Sequence, residues 1–296
     1  MKSNRAAITE FSKKFAGVVI VRVSNKIAVV IALAVTIAST PVLAHEMFVR
    51  ANEYVVAANT DQIVRLINGT FEQSENSISR DRMADVSILA NGVMTHPSPA
   101  DWTDDENSSY LKYRAGEAGT YVIGVSTKPN IISMTPEEFV AYLQHDNVLD
   151  TLATFEKENQ LTQVRERYSK HVRTIVQVGD TKTSDYAGEL GYPVEILLDQ
   201  SPSELRFGDD VSFRVLFKGE PVSDQRVRAS YEGFHDHDAE GNHLNSYDLV
   251  TDSEGRATFL LSNKALWYIT LIHMQKIDGP EADYESNWAT ITFKVK

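Results

Sequence analysis

The chain has 296 residues, 42% of them hydrophobic and 24% charged, which is enough for a sizeable core and unlike disordered or collagenous sequence. Its 29 Lys and Arg stand against 41 Asp and Glu, an acidic balance that argues against a sequence-independent grip on nucleic-acid phosphates. Cysteine is absent, which excludes disulfide frameworks, thiolate nucleophiles and zinc-thiolate or iron–sulfur sites and leaves His, Asp, Glu, Met and backbone groups as ligands.

The first 44 residues read as a signal peptide. Lys2, Arg5, Lys13, Lys14, Arg22 and Lys26 form a basic region ahead of an apolar run from Ile27 to Ala38. Pro41 breaks that run, and Val42-Leu43-Ala44 supplies a cleavage signal that predicts a mature chain starting at His45. An uncleaved anchor is the competing reading, although the run is shorter than the roughly 20 residues that span a membrane. The predicted location is the periplasm or outside the cell.

From Glu46 to Ser126, short β-rich runs follow one another: 47–49, 54–56, 63–67, 86–89, 110–113 and 121–125, with turn signals at Asn68-Gly69 and Asn91-Gly92. Thr135-Pro136-Glu137-Glu138 is an N-cap, a first-turn proline and a capping-box glutamate, so a helix is predicted there. Leu161, Val164, Tyr168, His171 and Val172 recur at spacings of three and four, which predicts a second helix before a strand at 174–178. The polar segment Gly179 to Gly191 reads as a linker. Beyond it, about seven strands at 194–198, 211–217, 226–231, 246–251, 257–261, 267–273 and 289–295 suggest an immunoglobulin-like sandwich. The expected fold is therefore mostly β: two antiparallel β-sandwich domains, 45–185 and 190–296, the second immunoglobulin-like, with a small helical insertion at about 135–172 in the first.

Several stretches resemble a known family: His45-Glu46-Met47-Phe48-Val49, Tyr168-Ser169-Lys170, Phe217-Lys218-Gly219-Glu220-Pro221-Val222, the run 251–259, Trp267-Tyr268-Ile269 with His273-Met274, and the run 285–293. Together they resemble a bacterial periplasmic family described as a nickel/cobalt uptake transport component. The resemblance implies a metal ion as ligand and a membrane transporter component as partner.

The residues themselves point towards metal. Cleavage after Ala44 would give His45 an amine and a ring nitrogen in one chelate, suited to Ni(II) or Cu(II). The stretch 234–243 sets His235, His237 and His243 among Asp236, Asp238 and Glu240. If His235 and His237 continue the strand ending near Tyr231, alternation points both to one face, where two imidazoles could share an ion. The competing reading is a solvated hairpin loop flanked by Gly233 and Gly241. His273 shares a strand face with Ile269 and Leu271, as a ligand or as a core-edge histidine bonded to a carbonyl. His171 reads as packing, and His96 and His145 as loop and helix-end residues without partners. The candidate metal set is His45, His235, Asp236, His237, His243 and His273, with Asp236 and Asp238 as oxygen donors or orienting groups, for Ni, Co, Zn or Cu. There is no His-Glu-x-x-His, no Gly-x-Ser-x-Gly and no phosphate loop, so a non-enzymatic metal-binding or delivery protein is expected. Two other readings stay open: a structural or adhesive module without metal, and a secreted copper-dependent oxidase using His45.

Overall fold

The computed structural model describes residues 46–158, 160–237 and 243–296. The predicted signal segment, His45 and Asp238 lie outside them. The described chain is mostly β, and its architecture follows from one strand, Val164–Val178, which takes neighbours along both edges. On one edge it pairs antiparallel with Gly119–Thr127, which leads to Met83–Ala90 and Val93–Thr95. On the other it pairs in parallel with the C-terminal strand Tyr284–Lys294, over nine residue pairs from Glu166 opposite Tyr284 to Thr174 opposite Thr292. That strand leads antiparallel to Leu266–Lys276, Arg226–Tyr231 and Tyr247–Val250. One ten-stranded sheet thus runs through both halves of the sequence.

Each half of this sheet faces a four-stranded partner. Glu46–Ala51, Thr60–Gly69, Ser109–Ala115 and Trp102–Asp104 cover the first half, around a core that includes Val49, Val64, Leu111, Ile123 and Val176. Val194–Leu198, Asp210–Phe217, Glu220–Pro221 and Arg256–Leu260 cover the second, around Phe213, Trp267, Ile269, Ile291 and Phe293. Of the two Asn-Gly pairs read as turns, Asn68-Gly69 instead ends the strand Thr60–Gly69, paired with Met47 and Glu46, and Asn91-Gly92 is a turn. Asn91 and Gly92 both take positive φ, 51° and 73°, as a two-residue hairpin turn requires. At Gly255 (φ +71°) a Cβ would lie 2.7 Å from the Val215 carbonyl oxygen, so only glycine fits.

The helical segment differs from expectation. Pro136–His145 is capped as predicted, with the Glu138 amide donating to the Thr135 hydroxyl (3.2 Å) and the Thr135 amide donating to Glu138 (2.8 Å). The second helix is Leu149–Glu158, so the insertion ends before Val164, and residues 164–172 are strand. The apolar spacing misled because this strand is buried on both faces from Ser169 onward, which erases the two-residue alternation of a half-exposed strand. The helices pack Phe139, Tyr142, Leu143 and Phe155 onto Tyr284 and Trp288, closing over the seam.

The segment read as a linker is fastened at its middle and at its far end. Asp185 accepts the amides of Asn91 (3.0 Å) and Gly92 (2.8 Å). Glu195 accepts those of Leu190, Gly191 and Tyr192, and pairs with Arg173, which also donates to the Gly188 carbonyl. Arg173 and Glu195 are 3% and 4% exposed, so removing one charge strands the other in a medium that cannot solvate it. Glu195→Gln should destabilise the protein by about 3–5 kcal/mol in urea denaturation. A change below about 1 kcal/mol would show that the pair is solvated and not structural.

Candidate functional site

The strand Arg226–Tyr231 does not run on to the histidines. Gly233, at φ +71°, turns the chain, and Asp236–His237 pairs with His243–Leu244 in a separate two-stranded ladder, His237 opposite His243. The expectation that His235 and His237 extend one strand is corrected by that turn. The ladder nevertheless gathers all three histidines. Ring centres are 5.1 Å apart for His235 and His237, 5.2 Å for His235 and His243, and 5.6 Å for His237 and His243. All three side chains are exposed.

An aromatic group supports this hairpin from below. Phe234 packs against Tyr231 (4.8 Å) and edge-on to Tyr247 (5.3 Å), and Tyr231 packs against Trp267 (4.6 Å). The Tyr231 hydroxyl accepts the His235 amide (3.3 Å) and donates to the His235 carbonyl (3.2 Å). Asp236 is engaged too: one oxygen accepts the His237 amide (2.8 Å) and the other takes the Tyr247 hydroxyl. These two hydrogen bonds, the phenol's first, hold its carboxyl below the usual range.

Among the described residues, no three His, Asp or Glu side chains already stand in a metal-holding arrangement, so coordination requires the rings to turn. The three rings touch one another, so turning brings one nitrogen of each within reach of a shared ion. The donor set, all imidazole without thiolate, suits borderline divalent ions.

His273 stands apart. It is six residues along its strand from Trp267, which lies opposite Tyr231, so about 20 Å of extended chain separates it from the hairpin. Gln225 uses its amide nitrogen on the carbonyls of Arg226 and Ile272, so its oxygen accepts from His273 Nδ1 (2.9 Å). The ring rests on Phe217 (4.4 Å), and Nε2 is buried without a partner. Burial, with help from Lys218, pushes this imidazole's pKa down.

Two of the other histidines have carboxylate partners. His96 Nδ1 lies 2.9 Å from Asp85 and His145 Nδ1 lies 2.8 Å from Asp146, so neither lacks a partner. Antiparallel pairing of 83–90 with 93–95 brings His96 back onto Asp85, a contact invisible to a local reading. Sequence reasoning also missed a buried charged group beneath the helices. There Glu166 accepts from Tyr142 (3.1 Å) and Ser286, and Lys170 lies over Trp288 (5.2 Å). Burial raises Glu46 and Glu166 to about 7 and lowers Lys170 to about 8.

His171 is buried on the seam strand, its nitrogens engaged by Ser126 (2.9 Å) and Asn287 (3.0 Å). Burial holds its pKa down to about 4. Below the ordinary value near 6.5, the unfolded chain takes up a proton that the folded chain refuses. Stability that is complete above that value is therefore lost as pH falls towards 4. His171→Gln should flatten this acid limb, with the slope of unfolding free energy against pH falling by up to one proton. An unchanged slope in urea titrations across that window would refute it.

No curated protein sequence matches the chain. Among solved structures it is similar to trypsin-activated alpha-2-macroglobulin from Escherichia coli, with 11% identity and a TM-score of 0.24 over 88% of this chain and 16% of that one. It is also similar to the adhesin InvE of Yersinia pseudotuberculosis, with 13% identity and a TM-score of 0.21 over 85% and 59% of the two chains. The Escherichia coli adhesin FdeC is similar at 10% identity and a TM-score of 0.21, over 86% and 64%. The chain spans only about a sixth of the macroglobulin's length. The family described as "Domain of unknown function (DUF4198)" matches residues 42–275, most of the chain, and the protein belongs to that family.

Proposed function

We propose that the protein binds a divalent transition-metal ion at His235, His237 and His243, as a periplasmic component of metal uptake or delivery. The observation that carries this reading is the mutual spacing of three exposed imidazoles, 5.1 to 5.6 Å between ring centres. Three imidazoles without thiolate suit borderline divalent ions, zinc, cobalt, nickel and copper among them. Exposure suits transfer, since an ion held on a hairpin at the surface can be reached by an incoming ligand. The basic-apolar-cleavage pattern of residues 1–44 supports export, and the resemblance to a nickel/cobalt uptake component supports transport. Among the described residues no helix is long and apolar enough to cross a membrane.

Chelator-stripped protein, titrated calorimetrically with zinc, cobalt, nickel and copper, should bind one ion at this hairpin. The ion should be lost when all three histidines are replaced by Ala, with little change in the apo melting temperature. A hundredfold excess over Kd should stabilise the native state by roughly 2.7 kcal/mol, and the gain should fade in acid as protons compete for the ring nitrogens. Equal binding by the triple variant would remove the hairpin from the account.

A further inference from the structure

The imidazole hairpin pairs only with itself. Asp236–His237 and His243–Leu244 form their own ladder and, among the described residues, share none with the larger sheets. Three flexible side chains on such a hairpin gain little from being near one another unless its backbone is fixed relative to the body.

Tyr247 supplies a fixed point. It lies on the edge strand Tyr247–Val250, its ring nearly parallel to Trp267 at 6.2 Å and 13°, and Trp267 is fully buried. Its hydroxyl contacts both Asp236 and Ser262 (2.7 Å). A phenol has a single proton, so it donates to the carboxylate and accepts from the serine. The second Asp236 oxygen accepts the amide of His237, the residue opposite His243 in the ladder. One carboxylate therefore joins a core-anchored phenol to the backbone of a proposed ligand. Each Asp236 oxygen thus holds one part of the hairpin or its floor.

We propose that Asp236 and Tyr247 are a positioning pair: Tyr247 fixes Asp236, Asp236 fixes the backbone at His237, and the three imidazoles are thereby presented together. This rests on the reading of the hairpin as a metal site. Partners that orient a metal's ligands typically contribute 10–100-fold in affinity.

The test is zinc calorimetry with cobalt(II) absorption on the wild type, Tyr247→Phe, Asp236→Ala, Asp236→Asn and the triple histidine variant. Tyr247→Phe keeps the aromatic ring and should weaken zinc about tenfold or more. Asp236→Ala should do the same, and the double variant should be no weaker than either single one, because each breaks the same link. Asp236→Asn can keep its oxygen on the His237 amide and donate its NH2 to the phenol, whose proton then turns to Ser262, so it should recover most of the affinity. The tetrahedral cobalt band should weaken in Tyr247→Phe and Asp236→Ala, a change that a purely structural role would not produce. Asp236→Ala, on the hairpin itself, keeps the test decisive should Tyr247→Phe lower the melting temperature. If the triple histidine variant binds zinc as the wild type does, the site and this inference fail together. If that variant loses zinc while Tyr247→Phe and Asp236→Ala bind normally, the metal site stands and the positioning pair is overturned.

Discussion

The parallel pairing of Val164–Val178 with Tyr284–Lys294 is the constraint on which the rest of the structure depends. It places the last strand of the sequence in the interior of the ten-stranded sheet, with neighbours on both sides. It also ties in the start of the described chain, because Thr290 and Thr292 donate their hydroxyls to the carbonyls of Met47 and Val49. Parallel neighbours cannot be joined by a tight turn, and here over a hundred residues intervene, the second sandwich's other strands among them. Closing that loop places non-local contacts at the centre of folding, which is the slow end of the topological range.

The hairpin inherits its position from this seam through a short series of contacts. Leu266–Lys276 pairs with the C-terminal strand along its length, setting Trp267 opposite Phe293. Trp267 then packs against Tyr231, Tyr247 and Phe259, and the two tyrosines carry the hydroxyls that grip the backbone at His235 and the carboxylate of Asp236. Such an arrangement separates two demands. The aromatic floor needs burial, whereas an exchangeable ion needs exposure, and a self-paired hairpin standing on that floor meets both.

Much of this was legible in the sequence, for physical reasons. The strands with one solvated face alternate, the helix at 136–145 carries a complete capping box, and Asn91-Gly92 permits the positive φ of its turn. The density of histidine in 234–243 drew attention to residues whose rings do cluster. What escaped was non-local. From Ser169 the strand Val164–Val178 is buried on both faces, and at 164–168, where burial does alternate, an inward position is Glu166, so residues 164–172 read as helix. His273 looked like a companion of the hairpin histidines, yet its position along a shared strand separates them. Tyr247 looked like one more strand aromatic; only the pairing of its strand at the sheet edge reveals that its hydroxyl meets Asp236. Charges such as Glu166 and Lys170 had surface-type identities and are buried.

X-ray absorption at the zinc edge of the zinc-loaded protein would show whether three imidazoles of one hairpin hold one ion. The predicted result is a four-coordinate first shell with three imidazole nitrogens at ~2.0–2.1 Å, visible through the outer-shell scattering of the rings. A shell of oxygen donors without imidazole scattering, or six-coordinate zinc, would contradict it.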